Sequence, residues 1–215
     1  MALIFDLDGV IIHSTPMHTK AWEIYLEPYG IPPADIQARM HGLRNDEIVR
    51  TFFGEGMPHE EVHAHGAAKE ALFRQLMAPQ LDRHIVAGLS PFLDRYGHLP
   101  AGLASNAERP NIDFVLEGAG IRRYFQAVVD GHQVSRPKPF PDIYRKAAEL
   151  LDVRPENCIV FEDSPAGVRA ALDAGTRVVG LSTTMEQLDG VELMVADFED
   201  PRLEKWLHRI QPMNH

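Results

Sequence analysis

The chain has 215 residues, of which 45% are hydrophobic and 24% charged, and its formal net charge is −10 at pH 7. This composition is typical of a soluble globular protein, and the length allows one sizeable core plus a smaller inserted module. An acidic balance argues against a nucleic-acid partner, which needs a basic surface. The single cysteine, Cys158, excludes an intrachain disulfide. No apolar run could span a bilayer and no secretory pattern opens the chain, so a cytoplasmic protein is expected.

Apolar periodicity predicts the elements in chain order. Residues 3–5 are a buried strand, and helices follow at 16–29, 46–53 and 59–77, with no strand signal between 14 and 80. Strands are then predicted at 101–104, 127–129, 158–161, 177–181 and 193–195. Helices are predicted between them at 111–118 and 141–151, and from a cap at Ser164 to Gly175. This alternation indicates an α/β protein with a parallel sheet covered by helices on both faces, interrupted after the first strand by an all-helical insertion.

Side-chain burial can also be predicted from these patterns. In the helix after Ser164, Val168, Ala171 and Leu172 are expected to face the core. The apolar residues of the helix before it are Ile143, Ala147, Leu150 and Leu151. Three histidines of the insertion lack the other ligands of a zinc site, so they are expected on the surface; they are His59, His63 and His65.

Four groups of polar residues follow four of the predicted strands. The groups are Asp6 with Asp8, Ser105 with Asn106, Lys138, and Glu162 with Asp163. The carboxyl ends of parallel strands lie along one edge of a sheet, where open α/β folds bind their ligands. The four groups are therefore expected to converge.

These residue types together predict phosphoryl transfer. Attack by a carboxylate on an anionic phosphoryl group requires a cation, and Mg²⁺ prefers carboxylates such as Asp6 and Asp163. Lys138 supplies a fixed positive charge, and the serine and asparagine of the second group can donate hydrogen bonds to phosphoryl oxygens. Asp8 can protonate the leaving oxygen and later deprotonate the water that hydrolyses an aspartyl-phosphate.

Three motifs resemble those of the haloacid dehalogenase superfamily: Asp6-Leu7-Asp8-Gly9, Lys138-Pro139-Phe140-Pro141-Asp142, and Glu162-Asp163-Ser164 followed by Gly167. The resemblance implies a Rossmann-like core of residues 1–13 and 81–215 and a helical cap domain of residues 14–80. It also implies roles for single residues. Asp6 would be the nucleophile, Asp8 the acid/base with its main-chain carbonyl on Mg²⁺, Asp163 a metal ligand with Glu162 beside it, and Ser105 and Lys138 the phosphate-holding pair.

The insertion resembles that of β-phosphoglucomutase and related sugar phosphatases. His18 and Trp22 match a His-x-x-Ala-Trp element of that branch, and Lys69 matches a lysine that reaches the active site. Substrate contacts are therefore expected from residues of both parts of the chain, namely His18, Arg44, Asn45, Lys69 and Asn106. The resemblance predicts a Mg²⁺-dependent phosphatase acting on a small phosphorylated metabolite, with a sugar phosphate as the leading substrate.

Two positions bear on the alternative, a β-phosphoglucomutase-type phosphohexomutase. Where the mutase has an arginine for the second phosphate, this chain has Asn45, next to Arg44. Where the mutase has a lysine after the serine loop, this chain has Glu108. A response-regulator receiver also combines acids, a metal, a Ser/Thr and a lysine, but its nucleophile follows the third strand, where this chain offers only Asp130.

Overall fold

The computed structural model describes residues 1–40 and 45–210, of which residues 37–40 by their backbone alone. The chain forms two compact units. The sheet unit consists of Met1–His13 and Asp82–His215, and the helical unit of Ser14–Leu81. Within the described residues, no helix is both long and apolar enough to cross a membrane.

The sheet unit is built on six parallel strands. They are β1 (Ala2–Phe5), β2 (Ala101–Ser105), β3 (Ala127–Asp130), β4 (Cys158–Glu162), β5 (Arg177–Leu181) and β6 (Leu193–Val195). Their spatial order is β3-β2-β1-β4-β5-β6. The chain thus moves outward in one direction from β1 through β3 and in the other from β4 through β6, so the switch point of the sheet lies at β1 and β4, where such folds bind ligands.

Helices cover both faces of this sheet, as the alternating pattern predicts. The helices of the described chain begin with α1 (Thr15–Leu26), α2 (Pro33–Met40), α3 (Asn45–Phe53), α4 (His59–Met77) and α5 (Leu81–His84). They continue with α6 (Leu89–Tyr96), α7 (Arg109–Gly118), α8 (Asp142–Leu150), α9 (Pro165–Ala174) and α10 (Pro201–Ile210).

Successive residues of a strand point to opposite faces, and the two faces of the sheet have different cores. On one face, Ile4 and Val160 pack with residues of α8 and α9, among them Tyr144 and Val168. On the other face the core is aromatic. The Phe5 ring lies 4.8 Å from that of Phe161, and the rings of Phe92, Phe125 and Phe198 surround this stack. The fold class predicted from the sequence is confirmed.

The helical unit has its own small core. Trp22 and Leu26 of α1 pack there with Ile36, Ile48, Val49 and Val62. Helices α3 and α4 begin and end within a residue of the predicted bounds, and α1 ends at Leu26, followed by a short 3₁₀ turn over Glu27–Tyr29. The strand-free insertion is confirmed for the residues that the structure describes.

Two predictions of side-chain exposure are wrong, those for Leu172 and His65. Leu172 is 40% exposed, because α9 contacts the sheet through smaller residues such as Gly167, Ala170 and Ala174. Leu150 is 54% exposed, and only its neighbour Leu151 turns into the core. His65 is half-buried, because its ring stacks on Phe53 at 4.2 Å and its Nδ1 lies 2.8 Å from the Tyr25 hydroxyl. Cys158 is buried, and burial raises the pKa of its thiol to about 11.

Candidate active site

The loop after the central strand β1 carries two carboxylates, those of Asp6 and Asp8. The backbone of Asp6 continues the pairing with β4 by donating to the carbonyl of Phe161 at 3.1 Å. Gly9, at a φ of +74°, then allows a tight turn in which the amides of Ile11 and Ile12 donate to the carbonyl of Leu7. Asp6 is buried and Asp8 is half-buried.

Lys138 lies between two carboxylates. Its ammonium donates to Asp6 Oδ1 and to Glu162 Oε1, each at 2.7 Å, and its Nζ lies 4.9 Å from the centre of the Tyr144 ring. The side chain of Asn106 fixes the backbone of the lysine, since its Oδ1 accepts from the Lys138 amide at 3.1 Å and its Nδ2 donates to the Lys138 carbonyl at 3.3 Å. Asn106 was expected to contact a phosphate, and in this structure its amide holds Lys138.

The carboxylate of Glu162 accepts hydrogen bonds at both oxygens. Oε1 accepts from Lys138 and from the buried hydroxyl of Tyr144, each at 2.7 Å. Oε2 accepts from the amide of Asp163 at 2.9 Å and from the amide and hydroxyl of Ser164, each at 3.0 Å. Gly167 is required beside it, because a Cβ there would lie 1.7 Å from Glu162 Oε1. These contacts tie the lysine, the start of α9 and the loop after β4 to one side chain.

Asp163 completes a group of three acids. Asp6, Glu162 and Asp163 each offer a carboxylate oxygen within 4.8 Å of the others, which is the kind of donor set that holds Mg²⁺. The hydroxyl of Thr184 donates to Asp163 Oδ2, and Gly9 leaves the space that this carboxylate occupies, since a Cβ at Gly9 would lie 1.8 Å from Asp163 Oδ2.

The acids repel one another at close range. Burial, together with Glu162, Asp163 and Asp8, outweighs the attraction of Lys138 and raises the pKa of Asp6 to about 8. Burial and Glu162 raise the pKa of Asp163 to about 7. For Glu162 the attraction of Lys138 and the hydrogen bonds it accepts outweigh burial and lower the pKa. The pKa of Lys138 is raised despite its burial, because both carboxylates stabilise its charged form. The repulsion between these carboxylates favours the binding of a further cation.

Ser105 is the last residue of β2, the strand beside β1 in the sheet. It is buried, and its Oγ accepts from the amide of Ala107 at 3.1 Å. Since β2 is the neighbour of β1, the serine lies at the same edge as Asp6. The sheet unit thus brings all four predicted groups to its carboxyl edge.

The predicted substrate residues of the helical unit form a cluster of their own. The ammonium of Lys69 lies 3.1 Å from Nδ1 of His18 and 2.6 Å from Oε1 of Glu70. The amide of Asn45 donates to that same oxygen of Glu70. Glu70 is therefore a member of the cluster that sequence reasoning missed. Arg44 lies outside the described residues.

Two further residues of the sheet unit were missed. Thr184 follows the end of β5, so the rule that located the other four groups at strand ends could also have found it. Tyr144 lies on α8, where it looks like any amphipathic core residue, and no sequence signal marks its hydroxyl as a partner of Glu162.

Comparison with known proteins identifies the family. The model of the haloacid dehalogenase-like hydrolases matches residues 1–175. The chain belongs to this family. Among its relatives is the fructose-1-phosphate phosphatase YqaB of Escherichia coli K12, 31% identical over 82% of this chain and 94% of the relative. The β-phosphoglucomutase of Bacillus subtilis strain 168 is also 31% identical, over 94% of this chain and 92% of the relative. The predicted family and the predicted phosphatase class are confirmed.

Solved structures agree with the fold. A β-phosphoglucomutase from Clostridium difficile superposes with a TM-score of 0.83 at 27% identity and covers 97% of this chain and 96% of its own. A hydrolase of the same family from Entamoeba histolytica superposes with a TM-score of 0.86 at 24% identity, covering 98% of this chain and 99% of its own, which shows the likeness of the fold alone.

Proposed function

We propose that the chain hydrolyses a small phosphorylated metabolite, with a sugar phosphate as the leading substrate, through an aspartyl-phosphate on Asp6 and with Mg²⁺ held by Asp6, Asp163 and the main-chain carbonyl of Asp8. The observation that carries the proposal is the placement of Lys138. Its ammonium bonds Asp6 at 2.7 Å, in a site where three carboxylates come within 4.8 Å of one another. Mg²⁺ would there neutralise charge on the phosphoryl oxygens.

In the first step, an oxygen of Asp6 attacks phosphorus and the ester P–O bond breaks. Asp8 transfers its proton to the leaving oxygen, which departs as an alcohol. In the second step, the ionised Asp8 removes a proton from a water molecule, whose oxygen attacks phosphorus, and the bond to Asp6 breaks to release inorganic phosphate. Lys138 and Ser105 stabilise the phosphoryl oxygens throughout. Glu162 keeps Lys138 in place through its 2.7 Å contact.

The contacts of Arg109 and Asn45 favour hydrolysis over mutase turnover. A mutase must hold a bisphosphate, which requires a second set of cations. Arg109 follows Glu108 and could supply a cation there, but its guanidinium Nε already donates to both carboxylate oxygens of Asp113, at 2.8 and 2.9 Å. The amide of Asn45 is bonded to Glu70.

A sugar phosphate is favoured because relatives include phosphatases named for fructose 1-phosphate and for hexitols. We also propose a cytoplasmic location.

The test is a comparison of Asp6→Asn with Asp82→Asn, which makes the same change at an exposed position of the sheet unit. Phosphate release from a panel of sugar phosphates and from acetyl phosphate is measured with Mg²⁺ and with a chelator. We expect the Asp6 variant to fold and to lose turnover, and the Asp82 variant to keep it. Normal turnover by folded Asp6→Asn would overturn the assignment. Sustained conversion of β-glucose 1-phosphate to glucose 6-phosphate, with little phosphate released, would favour the mutase.

A further inference from the structure

Two neighbouring threonines after β5 contact both loops that carry the proposed metal ligands. The hydroxyl of Thr183 donates to the carbonyl of Gly9 at 2.6 Å, and the hydroxyl of Thr184 donates to Oδ2 of Asp163. Gly9 directly follows Asp8, whose main-chain carbonyl is one proposed ligand. Strand β4 lies between β1 and β5 in the sheet, so the first contact reaches past an intervening strand. Adjacent residues thus tie the loop after β1 to the acid after β4.

The segment that carries the threonines is fixed at both ends. The amide of Ser182 donates to the carbonyl of Val195 at 2.9 Å, so the chain leaves β5 still paired with β6. Leu188 packs into the core that α8 and α9 share with the sheet. Thr183 is half-buried and Thr184 is exposed. Hydroxyls on a segment held in this way have little freedom to move, which suits a role in placing other side chains.

The two groups that the threonines contact also lie against each other. A Cβ at Gly9 would lie 1.8 Å from Oδ2 of Asp163, the same oxygen that accepts from Thr184. Asp6, in the loop before Gly9, offers a carboxylate oxygen within 4.8 Å of one from Asp163, and two ionised carboxylates at this distance repel. The repulsion pushes the loop and the acid apart, and the two hydroxyls hold them together without adding a charge.

The spacing of ligands decides which divalent cation a site prefers. Mg²⁺ requires near-ideal octahedral geometry with ligands at about 2.0–2.1 Å, whereas Ca²⁺ takes more ligands at about 2.3–2.6 Å in flexible arrangements. Ligands that are held close together therefore favour Mg²⁺. Ligands that are free to separate lose more affinity for Mg²⁺ than for Ca²⁺.

We propose that Thr183 and Thr184 form a threonine clamp, a pair of positioning residues that hold the loop after β1 and the carboxylate of Asp163 at the spacing that Mg²⁺ requires and so favour Mg²⁺ over Ca²⁺. The inference rests on the proposed function, because it concerns the metal of the same site. It adds the segment after β5 to the elements that build this site.

The quantity that tests the clamp is the ratio of the Kd for Ca²⁺ to the Kd for Mg²⁺. Both are measured by calorimetric titration of the full chain without substrate, at one pH and matched ionic strength, and checked by the rise in Tm with each cation. Thr184→Val should weaken Mg²⁺ binding by roughly 10–100-fold, the usual loss when a partner of a metal ligand is removed. Ca²⁺ binding should weaken less, so the ratio should fall.

Further variants separate placement of the ligands from stability of the fold. Thr183→Val should lower the ratio in the same direction, and Thr183→Ser and Thr184→Ser, which keep the hydroxyls, should restore it. Thr176→Val is the matched control, because it removes a buried hydroxyl that donates to the Ala171 carbonyl at 2.9 Å in the same unit. It should lower Tm and leave the ratio unchanged. Since Thr184 is exposed, Thr184→Val tests the clamp even if Thr183→Val does not fold.

The outcomes separate the clamp from the proposed function. Valine variants that leave both Kd values unchanged, or that weaken both cations alike, would show that the threonines serve the fold and would overturn the inference. An unaltered chain that binds neither cation would also overturn it. An unaltered chain that binds Mg²⁺ but releases no phosphate from any substrate would contradict the proposed function alone, and the Kd ratios would still decide the role of the threonines.

Discussion

At the scale of single residues, the proposed mechanism gives Asp6 and Asp8 different roles although they are two positions apart. In Asp8→Asn, an ester with a good leaving group should still phosphorylate Asp6, because departure needs little acid. Hydrolysis of the phospho-enzyme lacks its base, and general acid/base help is worth ~10²–10⁴-fold, so the intermediate should accumulate. Mass spectrometry of acid-quenched protein measures the added phosphoryl group. Its absence despite a burst of alcohol product would contradict the role of Asp8, and the variant with Asn at both positions provides the unphosphorylated control.

Tyr144 tests whether Glu162 must be held in place. Tyr144→Phe removes the 2.7 Å hydrogen bond to Glu162 Oε1 and leaves the other donors. Hydrogen bonds to charged groups contribute about 1.5–3 kcal/mol, so unfolding by urea should show a loss of that order. We also expect kcat to fall more than KM changes, because Glu162, the partner of Lys138, is held less firmly. The matched change Tyr124→Phe, which removes a bond to Asp94 at the surface, should alter neither. Equal effects of the two changes would contradict the argument.

Residue by residue, sequence reasoning located side chains more reliably than it assigned their contacts. Asp6, Lys138 and Asp163 come together because strand ends share an edge, a rule that needs no side-chain geometry. The contact between Asn106 and the Lys138 backbone depends on how two loops meet, and neither loop's sequence contains that information. Glu70 was missed for a similar reason, since a helix neighbour of Lys69 is not expected to face it.

At the scale of elements, two helical glycines that look alike in sequence should respond oppositely to alanine. In α9, a Cβ at Gly167 would lie 1.7 Å from Glu162, so Gly167→Ala should displace that carboxylate, lower stability and abolish most activity. In α4, nothing lies within 4 Å of a Cβ at Gly66. Gly66→Ala should therefore stabilise the protein by up to about 1 kcal/mol, because alanine loses less entropy in a helix. Thermal unfolding and turnover measure both, and similar effects at the two positions would contradict the packing argument.

The strands were predicted more completely than the helices. Each strand is a short, largely apolar run, such as Arg177–Leu181, where the predicted bounds are those of the structure. Helices α2, α5, α6 and α10 were not predicted, although Leu203, Trp206 and Leu207 give α10 an apolar side. Their apolar residues are spaced among many charges and prolines, so burial against the rest of the unit specifies them more than local pattern does.

At the scale of the whole molecule, the net negative charge of the chain differs in kind from the cluster of three carboxylates in the sheet unit. Charges on exposed acids are screened by salt, whereas Asp6, Glu162 and Asp163 are buried within reach of one another. Their repulsion should therefore respond to a specific divalent cation and to pH, and only weakly to NaCl. This difference separates a built metal site from a generally acidic protein.

Stability in the absence of metal should consequently fall as the pH rises. Asp6 and Asp163 have folded pKa values of about 8 and about 7, raised from their usual 3.8, so the folded state binds protons that the unfolded state releases. The stabilisation is complete below pH 3.8 and is lost as the pH passes through 7 and 8. Acids with lowered pKa values, such as Glu70 and Glu192, act oppositely but only near or below their usual value of 4.5, so the comparison begins at pH 5.5.

In EDTA, between pH 5.5 and 8.5, the stability of the unaltered protein should fall more steeply with pH than that of Asp163→Asn. The variant retains only one of the two carboxyl groups whose pKa is raised. With Mg²⁺, the unaltered protein should instead be the more stable of the two at the upper end of this pH range. A ligand at 100 times its Kd stabilises the folded state by about 2.7 kcal/mol, and the variant lacks a carboxylate needed to bind it. Tm measured across this pH range, with EDTA, with Mg²⁺ and with NaCl of matched ionic strength, checks the prediction. Parallel curves for the two proteins, or an equal rise in Tm with NaCl, would mean that the three acids do not form a metal site.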